Sequence, residues 1–82
     1  MSVPARRITI AGRVQGVGYR PFVYRLAHEF ELAGWVYNAS GVVEIEAQGP
    51  ENRLDGFARG LIDLAPPLAR PEILADAWID SE

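Results

Sequence analysis

Cysteine is absent from the sequence, and its absence excludes disulfides, thiolate nucleophiles and zinc or iron–sulfur centres held by cysteine. An ordinary reducing compartment is therefore permitted, and we expect a cytoplasmic protein. Long hydrophobic runs are also absent: none approaches the roughly 20 residues that span a bilayer, and the N-terminus lacks the apolar segment of a secretion signal. We expect no membrane partner.

Lysine is absent as well, so all eight basic residues are arginines. Five arginines lie in residues 1–30 against one acid, a local charge of +4, whereas residues 31–82 carry three arginines against ten acids, a charge of −7. This acidic remainder lacks the broad basic face that binds a nucleic-acid backbone, so we expect no nucleic-acid partner. The basic N-terminal third favours a small anionic ligand.

With 82 residues, 49% of them hydrophobic, the chain is predicted to form one domain over residues 1–82. The predicted strands lie near residues 7–14, 34–38, 42–48 and 73–79, and the predicted helices near residues 21–30 and 51–64. Right-handed crossovers in the order β-α-β-β-α-β place both helices on one face of the sheet. The predicted fold class is α+β, a ferredoxin-like βαββαβ sandwich with a four-stranded antiparallel sheet.

One loop predicts chemistry. It joins the first predicted strand to the first predicted helix through Gly16 and Gly18 and reaches Arg20. Glycines let backbone N–H groups approach a ligand, and a helix N-terminus adds partial positive charge, so a phosphate or carboxylate is the natural occupant. Pro21 is predicted to begin the helix and to keep Arg20 in the loop. From the spacing alone, an equal alternative is that the glycines only turn the chain and Arg20 is a surface residue.

The better-known phosphate motifs do not fit this loop. The P-loop pattern needs a lysine that the chain lacks, and Pro21 stands where the dinucleotide-binding pattern needs its third glycine. Nucleotide binding is therefore not supported.

Other chemically capable residues have simpler interpretations. His28, the only histidine, falls within a predicted helix with no nucleophile pattern nearby. Glu44 and Glu46 share the polar face of one predicted strand and are expected to be solvated. Trp35 and Tyr37 are expected to pack in the core rather than to stack on bases. We expect no metal site and no cofactor.

Three sequence blocks, taken in order, resemble the acylphosphatase family. They are GRVQGVGYR at Gly12–Arg20, GWVYN at Gly34–Asn38 and GVVEIEAQGP at Gly41–Pro50. The resemblance extends from about Arg7 to Leu64. In addition, Arg20–Ala27 and Ala65–Arg70 look like the acylphosphatase-like domain at the N-terminus of hydrogenase maturation carbamoyltransferases. Free-standing acylphosphatases usually lack the proline that follows the arginine here.

The resemblance implies metal-independent hydrolysis of an acyl phosphate to a carboxylate and phosphate, with carbamoyl phosphate as the expected substrate. It implies that Arg20 holds the substrate phosphate and that Asn38 positions the attacking water. The residues implied in phosphate binding are Gln15, Gly16, Val17, Gly18, Tyr19 and Arg20, the first five through backbone N–H groups. Judged by itself, Asn38 would be interpreted as a turn residue.

The resemblance also implies the partners. These are a small anionic acyl phosphate or phosphate, and the downstream domains of a parent carbamoyltransferase. One alternative stays open, in which the chain is a non-catalytic phosphate-binding or docking domain of the same protein.

Overall fold

Four antiparallel strands form one sheet in the order β2-β3-β1-β4. The computed structural model describes residues 3–79. Its elements are β1 (Ala5–Arg13), α1 (Tyr19–Glu29), β2 (Ala33–Ala39), β3 (Val42–Gln48), α2 (Glu51–Asp63) and β4 (Arg70–Ile79). The predicted ferredoxin-like βαββαβ fold is confirmed. Within the described residues, no helix combines the length and the apolar character needed to cross a membrane.

The core lies between the sheet and the two helices. The central strands contribute alternate residues, and the helices contribute one apolar stripe each. The core residues that are at most 2% exposed include Ile8, Ile10, Val43, Ile45 and Ala47 from the sheet and Val23, Leu26, Leu54, Phe57 and Leu61 from the helices. The predicted inward face of β3 is therefore confirmed, and the helices cover one face of the sheet only.

The first helix begins two residues earlier than predicted. α1 starts at Tyr19, so Arg20 lies in its first turn, and the prediction that Pro21 holds Arg20 in the loop was wrong. The Phe22 amide bonds to the Gly18 carbonyl at 3.2 Å and closes this turn. Pro21 is tolerated as the third helical residue because an N–H group at that position has no intrahelical acceptor to lose.

The last strand is longer and less regular than predicted. β4 begins at Arg70 rather than near Ile73. Thr9 pairs with Ala75 whereas Ile10 pairs with Ile73, so Leu74 is an extra residue in β4. This bulge interrupts the alternation of β4 and leaves Leu74 60% exposed.

The aromatic residues of β2 lie outside the core, so the prediction that Trp35 and Tyr37 pack inside was wrong. Their side chains are 39% and 48% exposed, and their rings lie 5.0 Å apart. Val36, between them, is the buried residue of the strand. Because successive strand residues face opposite ways, burial of Val36 under the helices turns both aromatic rings to the uncovered face.

A small ionic network joins β1, β4 and α2 at one side of the sheet. The Arg6 guanidinium donates to Asp76 at 2.7 and 3.0 Å and to Asp55 at 2.7 Å. It also lies 4.7 Å from the ring of Trp78. These carboxylates raise the pKa of Arg6, with the hydrogen bond to Asp76 as the largest cause. The Arg6 side chain is 16% exposed and that of Asp76 is 23% exposed, so solvent screens this pair only partly.

We expect the substitution Asp76→Asn to lower the free energy of unfolding by about 1 kcal/mol, the upper end for a solvent-accessible ion pair, since it removes the charge from a forked, partly buried pair. Urea unfolding of the variant and the parent measures the difference. Asp63→Asn is the matched control, because Asp63 is exposed at the end of α2 and takes part in no ion pair within residues 3–79. Equal losses in the two variants would contradict a stabilising role for the network.

Candidate active site

The loop between β1 and α1, residues 14–18, turns through two glycines with left-handed backbone. The φ angle is 70° at Gly16 and 79° at Gly18. A Cβ added at either position would meet no atom within 4 Å, so the backbone angle rather than crowding requires glycine. Gly18 is also the N-cap of α1. The loop therefore leads directly into the N-terminus of the helix.

The N-terminus of α1 is open to an external anion. It has no side-chain cap and no acidic residue in its first turn. Pro21 has no N–H group and the Phe22 amide bonds to Gly18, which leaves the N–H groups of Tyr19 and Arg20 for a ligand. Together with the positive end of the helix dipole, these donors favour a phosphate or carboxylate.

A cleft of about 220 Å³ lies over this helix end. It is lined by Val14, Gln15, Gly16, Gly18, Tyr19, Arg20, Pro21 and Asn38. The structure thus brings together Arg20, exposed on the first turn of α1, and Asn38, exposed on β2. None of the lining residues is acidic, so the guanidinium of Arg20 supplies the formal charge of the cleft.

The position of Asn38 follows from the pairing of β2 with β3. Val36 is buried under the helices, and Asn38, two residues on, lies on the same face. Asn38 pairs with Val43 across the strands. Earlier in β2, Gly34 lies so close to β3 that any Cβ would overlap the carbonyl oxygen of Glu46. Gly34 thus permits the close pairing that carries Asn38 to the cleft.

The predicted site residues fall almost entirely on the cleft. The lining set contains all of them except Val17, whose side chain is partly buried against the core. Val14 and Pro21 also line the cleft but were not predicted as site residues. Only their place in the sequence could have indicated them, because Val14 precedes the glycine loop and Pro21 follows Arg20.

Tyr19 ties the cleft to the second helix. Its side chain is 1% exposed, and its hydroxyl donates a hydrogen bond of 2.9 Å to the carbonyl oxygen of Leu61 in α2. Burial raises the pKa of Tyr19, because the core disfavours the phenolate. The hydroxyl therefore keeps its proton, and remains a hydrogen-bond donor, at alkaline pH values where an exposed tyrosine would ionise.

We expect the free energy of unfolding to decrease as the pH rises above about 10, since Tyr19 ionises near that value in the unfolded chain but at a higher pH in the folded one. Tyr19→Phe should remove this component of the alkaline decrease. Urea unfolding at a series of pH values measures it, with tyrosinate absorbance of the folded state as a second readout. Identical alkaline slopes for the variant and the parent would contradict the assignment.

The other candidate groups do not form a second site. Glu44 and Glu46 lie on the uncovered face of the sheet, where they accept hydrogen bonds from Thr9 at 2.8 Å and Arg7 at 3.0 Å. His28 is exposed on α1. Within residues 3–79, no group of three His, Cys, Asp or Glu side chains is placed to hold a metal ion.

The profile of the Acylphosphatase family matches residues 6–81, which is nearly the whole chain. The chain belongs to the acylphosphatase family. It is 51% identical to the acylphosphatase of Bacillus subtilis over 73% of this chain and 67% of that protein. The crystal structure of acylphosphatase from Bacillus subtilis superposes with a TM-score of 0.80 and 40% identity, covering 96% of this chain and 86% of that one.

A second group of relatives is much longer. This acylphosphatase-family chain is 53% identical to carbamoyltransferase HypF2 of Cupriavidus necator. The match covers 85% of this chain but only 9% of that protein. A crystal structure of full-length HypF in the phosphate- and nucleotide-bound form superposes with a TM-score of 0.83 and 36% identity, covering 100% of this chain and 11% of that one. A domain of this kind thus also occurs as a small part of a much longer protein. Membership of the acylphosphatase family and the similarity to proteins named acylphosphatase support a hydrolase.

Proposed function

We propose that this domain hydrolyses carbamoyl phosphate, or a similar acyl phosphate, as the N-terminal domain of a hydrogenase maturation carbamoyltransferase. The observation that carries the proposal is the single cleft shared by Arg20, the open N-terminus of α1 and Asn38. The similarity to proteins named acylphosphatase and carbamoyltransferase supports it.

Phosphate binding follows from the charge of the cleft. The phosphoryl group sits at the helix end, where it accepts hydrogen bonds from backbone N–H groups of the loop and of Tyr19 and Arg20. The Arg20 guanidinium offers two parallel donors to its oxygens. The backbone donors are positioned by the folded loop and helix end, so they stabilise charge that develops on the phosphoryl oxygens without reorganisation.

Hydrolysis requires a positioned water. The Asn38 side chain hydrogen-bonds this water, whose oxygen attacks phosphorus in line with the acyl oxygen. The bond between phosphorus and the acyl oxygen breaks, and its electron pair leaves with the carboxylate. Asparagine is no general base, so a water proton passes to a phosphate oxygen or to solvent. Carbamoyl phosphate would give carbamate and phosphate.

We expect Arg20→Ala and Asn38→Ala each to lower kcat/KM for carbamoyl phosphate and benzoyl phosphate by about 100-fold or more, the usual effect of removing one preorganised stabilising group. Phosphate release measures the rates, and circular dichroism checks that the variants are folded.

Arg25→Ala and Asn52→Ala are the matched controls for these variants. Arg25 lies on the same helix as Arg20 and Asn52 lies on α2, and both are exposed and absent from the cleft. They should retain the parent rate. Losses of the same size in the controls, or full activity in Arg20→Ala, would reject the assignment.

We expect a shallow pH dependence, with kcat changing less than about threefold between pH 6 and 9, because no lining residue is a histidine or carboxylate that could act as a general base.

We also expect a chelator to leave the rate unchanged, since Arg20 and backbone N–H groups replace a metal in this mechanism. Rates measured across this pH range, with and without EDTA, test both points. A steep acidic limb or chelator inhibition would contradict the mechanism.

In the alternative function, the domain binds phosphate but does not hydrolyse acyl phosphates. The openness of the site favours it, since Arg20 and Asn38 are both exposed and the cleft does not exclude bulk water. It predicts that the folded parent chain binds inorganic phosphate but releases none from either acyl phosphate.

A further inference from the structure

We propose that the Tyr19 side chain is a positioning residue: its hydroxyl fastens the N-terminus of α1 to the last turn of α2 and so holds Arg20 and the helix-end N–H groups in their binding geometry. This inference rests on the proposed function, because it concerns the same cleft.

Tyr19 belongs both to the cleft and to the core. Its backbone lies between Gly18 and Arg20 on the cleft, and its side chain turns inward to 1% exposure. The ring lies 5.5 Å from that of Phe22. One residue therefore connects the binding surface with the interior.

The acceptor of the Tyr19 hydrogen bond is a backbone carbonyl in the last turn of α2. In a longer helix the Leu61 carbonyl would bond to the Ala65 amide, but that amide bonds to the Ile62 carbonyl at 3.5 Å. The Leu61 carbonyl thus belongs to the end of α2, where backbone acceptors need other partners. The Tyr19 hydroxyl supplies one at 2.9 Å. Since Leu61 is fully buried, no solvent water replaces this donor without rearrangement.

Few polar contacts other than this hydrogen bond secure the N-terminus of α1. The preceding loop is exposed at Gln15, Gly16 and Gly18, and no side chain caps the helix. Within residues 3–79, the Tyr19 hydroxyl makes the one side-chain hydrogen bond between the two helices. Val14, Val17 and Phe22 pack against the core beside this end, and the hydroxyl adds the directional contact to α2. Without that contact, local opening of the first turn would disperse the N–H groups that bind phosphate.

Tyr19→Phe tests this directly, because it keeps the buried ring and removes only the hydroxyl. The matched control is Tyr24→Phe, the same change on the same helix at a side chain that is 59% exposed. We expect Tyr19→Phe to weaken binding of inorganic phosphate by about three- to tenfold, the range for losing one hydrogen bond. It should lower kcat/KM for carbamoyl phosphate by a similar factor, while Tyr24→Phe matches the parent.

Amide hydrogen exchange separates positioning from general destabilisation. Below the unfolding transition, Tyr19→Phe should speed exchange at Phe22 and in the last turn of α2, while the amides of β1 and β3 exchange as in the parent. Uniform acceleration everywhere, or phosphate affinity within twofold of the parent, would overturn the inference.

The same measurements distinguish this inference from the proposed function. A parent chain that binds phosphate without hydrolysing it rejects catalysis, yet the phosphate affinities of the two variants still decide the role of Tyr19. If the parent binds no phosphate, the proposed function and the positioning role fail together, even if exchange shows that Tyr19 orders the helix end.

Discussion

The packing of α1 is the constraint on which the site depends. Its apolar stripe, including Val23 and Leu26, must cover the sheet, and this fixes both the axis and the rotation of the helix. With the axis fixed, the helix N-terminus emerges where β1 ends, and the connecting loop is short enough to need left-handed glycines. The position of the open helix end, which we propose binds the phosphate, is therefore a consequence of burying the apolar side of α1.

The arginines of the fold have different surroundings. Arg6 and Arg7 form ion pairs with carboxylates on neighbouring elements, and Arg53 pairs with Glu31 in the turn that follows α1. Arg20 stands apart from these pairs at a cleft without acidic residues. An acidic protein can thus still present a positive site, because no carboxylate lines this cleft.

Much of the fold could be predicted from local patterns, and the failures have identifiable causes. β3 alternates strictly, so its bounds and its inward face were predicted correctly. Alternation alone does not say which face the helices cover, and this is why Trp35 and Tyr37 were misplaced. The proximity of Arg20 and Asn38 needs the strand order and could not be worked out from residues alone. The family resemblance supplied their pairing. The Tyr19–Leu61 hydrogen bond joins residues far apart in the chain and left no local signal.

The close approach of β2 to β3 at Gly34 makes the site sensitive to a residue that touches no ligand. A side chain there would push β2 outward or shift it along β3. A slip of one residue would turn Asn38 to the uncovered face and present Tyr37 to the cleft, because neighbouring strand residues face opposite ways. The strand register thus decides which side chain occupies the position proposed to hold the attacking water, and the family block that begins at Gly34 constrains backbone spacing as much as chemistry.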